Sequence, residues 1–99
     1  MTGKDFVRQQ TLMDYREVLS TDAGRRVFGG IFHACGLNAV GFQTDAATAA
    51  YIKGMHDAAL RIANTIRELD PRGVGECEAA YREFLERSKE DGDREDKEF

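Results

Sequence analysis

The apolar residues at the start of the chain recur at the spacing of a helix. Between residues 5 and 19 they form one approximate stripe, made of Phe6, Leu12, Tyr15 and Leu19. Ser20 or Thr21 then supplies a hydroxyl that can cap a second helix by accepting a hydrogen bond from a free backbone N–H group. We therefore predict a first helix over 5–19 and a second helix that begins directly after it.

A second apolar stripe follows at helical spacing and consists of Val27, Phe28, Ile31, Phe32 and Cys35. Gly36 is a typical helix stop because it tolerates a positive φ. The segment 37–43 predicts a loop, yet it carries the apolar residues Leu37, Val40 and Phe42. This loop either folds back over the core as a lid or stands out as a hydrophobic patch for another chain.

A third and longest helix is predicted between Thr44, its expected N-cap, and Leu69, because Pro71 prevents continuation much beyond that residue. Opposite a bulky apolar stripe it carries small residues, namely Ala47, Ala50, Gly54 and Ala58. We expect this helix to be buried on both sides, or to meet a second copy through its small residues. Gly29 and Gly30 favour a close backbone approach in helix two, so we predict that helices two and three cross there.

The last apolar pattern predicts a fourth helix over 76–89, with Cys77, Ala80, Tyr81, Phe84 and Leu85 on one face. Residues 90–99 hold six acids and two bases, and this composition predicts a disordered acidic tail. The expected fold class is therefore all-α. We predict a compact bundle of about four helices that forms a single domain over 1–89, followed by the tail over 90–99.

Composition and charge agree with one helical domain and exclude several classes of partner. The chain has 99 residues, of which one is proline and 41% are hydrophobic, enough for one core. The net charge of −4 comes from residues 90–99, since the first 89 residues hold twelve acids and twelve bases. The body therefore has no basic footprint for nucleic acid, and no apolar run reaches the ~20 residues of a membrane span. We expect no membrane partner, no signal peptide and a reducing cytosol.

Metal binding has one formal candidate set, which consists of His33, Cys35, His56 and Cys77. Structural zinc sites use closely spaced pairs such as C-x₂-C, whereas His33 and Cys35 are two residues apart on one helix and point about 200° apart. We interpret the cysteines as core residues and the histidines as surface or capping residues. No metal or other cofactor is predicted.

Catalytic chemistry is not indicated by any motif. The hydroxyls of Ser20, Thr21 and Thr44 are explained by helix capping, and no histidine stands beside a nucleophile in a recognisable motif. The many carboxylates between residues 76 and 98 belong to a solvated helix face and the tail, where no burial separates their pKa values. We predict that the protein is not an enzyme.

Arg25 and Arg26 are the most informative charged residues, because two cations in the opening turn of a helix oppose its dipole. They can be compensated within the chain by Asp22, Glu17 or Asp45. Alternatively, they can grip a carboxylate or phosphate of a partner in a bidentate arrangement. Both interpretations are open at the level of the sequence.

Four pieces of the chain resemble a family of small proteins encoded among the virion genes of tailed bacteriophages, particularly short-tailed ones. They are YREVLSTDAGRRVF at 15–28, the Cys35-Gly36 helix end, Phe42 with Asp45 beyond it, and YIKGMHDAALRI at 51–62. The resemblance covers about half of the chain, over 15–66. It does not include the last helix or the acidic tail.

The resemblance implies a phage protein without an assigned reaction, either a minor virion component or an assembly factor, located in the host cytoplasm or the virion. Our leading hypothesis is a structural or assembly module that binds phage virion or assembly proteins, or a second copy of itself. The expected partner-binding residues are Arg25, Arg26, Leu37, Val40 and Phe42, together with one face of helix three.

Two other functional classes are compatible with the sequence. A host-directed inhibitor or adaptor would use its small size, and an acidic tail that imitates the charge of nucleic acid. A helix-turn-helix DNA binder is suggested by the short turn before Arg25 and Arg26. The glycines and the bulky apolar run of helix two argue against insertion of that helix into a DNA groove.

Overall fold

The protein is all-helical in the part of the chain that its structure, a computed structural model, describes. That part comprises residues 2–38 and 45–98, with side chains as far as residue 91. Four helices follow in chain order: α1 (Gly3–Leu19), α2 (Asp22–Ala34), α3 (Ala46–Leu69) and α4 (Gly73–Glu98). No strand occurs in these ranges. The predicted all-α class and the bundle of four helices are confirmed.

The helix ends follow local capping chemistry. Thr21, one of the two predicted caps, precedes α2 and accepts a hydrogen bond from a backbone N–H of its first turn. At the other end, Gly36 takes the positive φ of 66° that the sequence predicts. For α3 the predicted cap was wrong by one residue, since the Asp45 side chain accepts from the Thr48 backbone N–H at 2.9 Å. Hydrogen bonds from the hydroxyl and backbone of Thr48 lower the pKa of Asp45.

The last helix begins earlier than the apolar pattern predicts. It starts at Gly73 instead of residue 76, because the backbone N–H of Gly73 donates to the Asp70 carbonyl at 3.0 Å and closes the turn after α3. α4 continues through the acidic residues after position 89 and ends at Glu98. Side chains beyond Asp91 and the whole of residue 99 lie outside the described residues. The disorder of the acidic tail and its separation from the domain stay predictions.

The core lies where the C-terminal half of α3 meets α2 and α4. Its buried side chains are Phe32, Leu37, Ala59, Ala63, Ile66, Val74 and Cys77. Tyr15 and Leu19 of α1 pack against the edge of this cluster, and the Tyr15 ring stacks on Phe28 with centroids 5.4 Å apart. The core is small, and neither α1 nor the first half of α3 contributes a buried residue to it.

A close backbone approach joins α2 to α4 at Gly29. A Cβ atom at Gly29 would lie 2.2 Å from the carbonyl oxygen of Cys77 and 2.7 Å from the Cβ of Tyr81. At Gly30 a Cβ would lie 3.3 Å from the Tyr81 ring. The crossing of helices two and three predicted at these glycines is therefore wrong, because α4 occupies the space beside them. The two glycines predict a close backbone approach, but they do not identify which helix approaches.

We predict that Gly29→Ala lowers the free energy of unfolding by about 1–3 kcal/mol, because the methyl group meets the Cys77 carbonyl and the helices must separate. Gly75→Ala is the matched control, since a Cβ at Gly75 meets no atom within 4 Å. That control should be neutral or stabilising by up to ~1 kcal/mol. Urea unfolding followed by circular dichroism measures both. Equal stabilities of the two variants would show that α2 and α4 do not touch at Gly29.

Candidate protein-binding surface

Arg25 is held within the chain. Its Nη1 donates to the carbonyl oxygen of Leu19 at 2.7 Å, and its Nη2 pairs with the Asp22 carboxylate. Leu19 is the last residue of α1, so its carbonyl has no partner inside that helix. The guanidinium satisfies this carbonyl and places a positive charge at the negative end of α1, which offsets its unfavourable position at the start of α2.

Arg26 differs from its neighbour. It is half-buried, and the hydrogen bonds and ion pairs found between described residues include none from its side chain. Arg25 therefore has a structural role within the chain. For Arg26, binding of a partner stays a prediction.

Substitutions of the two arginines should therefore have different effects on the free energy of unfolding. We expect Arg25→Gln to lower the free energy of unfolding by about 1–2 kcal/mol, because a charge-assisted hydrogen bond between α1 and α2 is lost. Arg26→Gln should change it by no more than ~0.5 kcal/mol. Chemical denaturation of the two single variants measures this difference. A larger loss for Arg26→Gln than for Arg25→Gln would contradict the assignment.

The apolar loop after α2 is only partly described. Leu37 is 8% exposed and belongs to the core, so its proposed role in a partner-binding patch is wrong. The reason is local: the Leu37 backbone N–H donates to the Phe32 carbonyl at 2.9 Å, and that of Gly36 donates to the His33 carbonyl at 3.3 Å. This is the Schellman arrangement, in which the residue after the glycine packs back on the helix. Val40 and Phe42 lie outside the described residues.

The small-residue stripe of α3 is not at an intramolecular crossing. All four of its residues are exposed: Ala47, Ala50, Gly54 and Ala58. A Cβ added at Gly54 would meet no atom within 4 Å. The expectation that α3 is buried on both sides is therefore wrong for its first half, since α2 and α4 pack only on its second half. Self-association through this stripe stays a prediction.

The outer side of α1 carries exposed apolar residues, and their exposure was not predicted from the sequence. None of the 17 residues of α1, all of which the structure describes, is buried. Phe6 is 61% exposed and Met13 is 63% exposed, and their spacing of seven residues places them on one side of the helix. We call Phe6 and Met13 the α1 outer face. It lies away from Tyr15 and Leu19, which attach the helix to the core.

A groove of about 470 Å³ lies between α1 and α3, and neither Phe6 nor Met13 lines it. Val7 and Leu12 line it from α1, and Thr65 lines it from α3. An ion pair spans it, in which Nη2 of Arg8 lies 2.8 Å from both carboxylate oxygens of Glu68. Because both side chains are exposed, this pair adds at most ~1 kcal/mol and holds α1 loosely.

A second groove of about 430 Å³ lies between α2 and α4. Phe32 and Leu37 form apolar parts of its lining, and His33 and Arg82 form polar parts. The Asn38 amide donates to the Glu78 carboxylate at 2.9 Å along its lining. No polar or charged side chain is buried in the described part of the chain.

The residues of the formal metal set are not gathered at one point of the described structure, although Cys35 packs against the core that contains Cys77. The His33 ring lies 5.5 Å from the Tyr81 ring, and His56 Nδ1 lies 3.7 Å from an Asp57 oxygen. Cys77 is buried in the core. Within residues 2–38 and 45–98, no cluster of three or more histidine, cysteine or acidic side chains is arranged to hold a metal ion.

Cys77 has an altered acidity because of its position in the core. Burial raises the pKa of its thiol from 9.0 to about 11, and the neighbouring Glu76 and Glu78 carboxylates also raise it, against the opposing charge of Arg25. A thiol with a raised pKa carries little thiolate at neutral pH, and thiolate is the reactive form. Cys77 is thus a core residue, without the properties of a nucleophile.

We predict that this thiol makes folding sensitive to alkaline pH. The unfolded thiol ionises near pH 9.0, whereas the folded thiol stays protonated until about pH 11. Ionisation therefore favours the unfolded state between these values, so the free energy of unfolding should fall as the pH rises from 9 to 11. The measurement is urea unfolding at several pH values for the native protein and Cys77→Ala. The variant should show a smaller pH dependence, and identical slopes would contradict the prediction.

Comparison of the chain with protein-family models, with curated proteins and with solved structures gave no match. None of the described helices combines the length and the hydropathy that crossing a bilayer requires. The surfaces of the molecule are therefore the observations from which its function can be inferred.

Proposed function

We propose that the protein is a binding module of phage assembly that docks on larger virion or assembly proteins through the α1 outer face. The observation that carries this proposal is that α1 has no buried residue although it displays a phenylalanine and a methionine to solvent. Exposed aromatic and methionine side chains are enriched where proteins bind each other. Neither side chain belongs to the core cluster or packs against it.

The manner in which α1 is attached supports the same proposal. The helix is fixed by Tyr15 and Leu19 at one end, by the Arg25 contact to Leu19, and by the exposed ion pair of Arg8 with Glu68. These contacts orient the helix and leave its opposite side open. An amphipathic helix presented in this way can lie in a groove of a partner, with residues one and two turns apart as anchors.

The proposed partner class comes from the resemblance of residues 15–66 to small proteins encoded with phage virion genes. A binding role is further supported by the absence, in the described ranges, of a buried charged side chain that could serve as an acid, a base or a ligand. The partner should offer an apolar groove with polar edges, because Gln10 and Asp14 lie beside the outer face and bond to each other at 2.9 Å.

The proposal is tested by affinity capture from phage-infected cells followed by mass spectrometry. The bait is the tagged chain, compared with a double variant, Phe6→Glu with Met13→Glu. We expect the unmodified chain to recover virion or assembly proteins. We also expect the double variant to recover them at least ~100-fold less well, because two apolar anchors of ~1.5–3 kcal/mol each are removed.

Val27→Glu is the matched control, because Val27 is also a well exposed apolar residue but belongs to α2 and not to the α1 outer face. This control should capture as much as the unmodified chain. Circular dichroism spectra should be the same for all three baits, since only exposed positions are changed. Recovery of the same proteins by the double variant would overturn the role of α1, and recovery of host proteins alone would favour the inhibitor or adaptor class.

A further inference from the structure

The two halves of α1 are attached to the rest of the protein in different ways. In the second half, Tyr15 and Leu19 pack against the core, and the Leu19 carbonyl accepts a hydrogen bond from Arg25 at 2.7 Å. A Cβ atom at Gly24 would collide with the Val18 carbonyl oxygen, so the corner between α1 and α2 is tightly packed. These contacts fix the second half of α1 in place.

The first half of α1 lacks contacts of this kind. Every residue from 2 to 11 is exposed, and none of them belongs to the core cluster or packs against it. Val7 lines the groove between α1 and α3, yet it is 62% exposed, so little of its surface is covered by α3. Because apolar stabilisation scales with the area removed from water, apolar contact holds this half only weakly.

One ion pair joins the first half of α1 to α3. Among the described residues, the hydrogen bonds and ion pairs between residues 2–12 and another helix are those from Nη2 of Arg8 to the two carboxylate oxygens of Glu68, each at 2.8 Å. The other side-chain hydrogen bonds of residues 2–12 stay within α1 and its cap. Arg8 lies seven residues before Tyr15, so the pair acts about 10 Å from the core contact of that residue.

The charges of the groove make this pair sensitive to salt. Glu68 is the one acid among the described residues that line the groove, and Lys4 and Arg8 are cations on the α1 side. The side chains of Arg8 and Glu68 are 65% and 46% exposed, so solvent ions reach both. The screening length falls from ~30 Å at ~0.01 M salt to ~3 Å at ~1 M. Ionic strength therefore controls the attraction between the two helices.

We propose that the Arg8–Glu68 pair is an electrostatic latch that closes the first half of α1 on α3 and releases it when the charges are screened or removed. Release opens the groove, while Tyr15 and Leu19 keep the second half of α1 on the core. Leu12, which is half-buried in the closed position, then becomes accessible. This inference goes beyond the proposed function and does not rest on it, because the latch belongs to the chain without a partner.

A single tryptophan tests the latch in the purified full chain. The sequence contains no tryptophan, so Val7→Trp places one reporter ring in the groove. Acrylamide is an uncharged quencher, and it should reach this ring more readily when the groove is open. We expect its quenching of the reporter to increase between ~0.01 M and ~1 M NaCl, because the pair is screened. Thr11→Trp, at another lining position, is a second reporter and should give the same result.

Removal of the anion should have the same effect as salt. In the reporter chain, Glu68→Gln should raise the ratio of open to closed molecules by up to about fivefold, which corresponds to the ~1 kcal/mol of an exposed pair. The quenching of this variant should no longer increase with salt. Adding Arg8→Gln to Glu68→Gln should cause no further opening, since the two residues act through one interaction.

Lys53→Gln in the reporter chain is the matched control. It breaks another exposed ion pair, in which Lys53 Nζ lies 2.7 Å from Asp57, but that pair lies within α3 and joins no other helix. The control should keep the quenching and the salt dependence of the reporter chain. Equal quenching of the reporter at both salt concentrations would overturn the latch. The same salt dependence with and without the Glu68 carboxylate would also overturn it.

Discussion

The contact of α2 with α4 at Gly29 sets the arrangement of the other helices. The missing side chain lets the α2 backbone approach the Cys77 carbonyl and the first carbon of Tyr81, so the two helices can be in direct contact. Phe32, one turn along α2, is then placed in the core with Cys77. The second half of α3 joins the same core through Ala59, Ala63 and Ile66, which are fully buried. α1 contributes only edge residues.

The helix boundaries were largely predictable, because the capping interactions that determine them are formed by residues close in sequence. Thr21 and Gly36 act within a few residues of their own positions. The burial of Leu37 could have been predicted by the same reasoning, since an apolar residue directly after a helix-ending glycine is the hydrophobic contact of the Schellman arrangement. The apolar composition of the loop left two alternatives open, a lid over the core and an exposed patch.

The tertiary partners were not predictable in the same way. Gly29 predicts that another helix backbone lies close to α2, and either α3 or α4 could have been that helix. In α1, Phe6 and Leu12 lie about 120° apart around the helix. The apolar stripe predicted for α1 is therefore equally compatible with two separate apolar faces. Only Tyr15 and Leu19 reach the core cluster, and Phe6 remains outside it. Hydrophobic periodicity identifies a helix, but it does not determine which apolar side meets the rest of the chain.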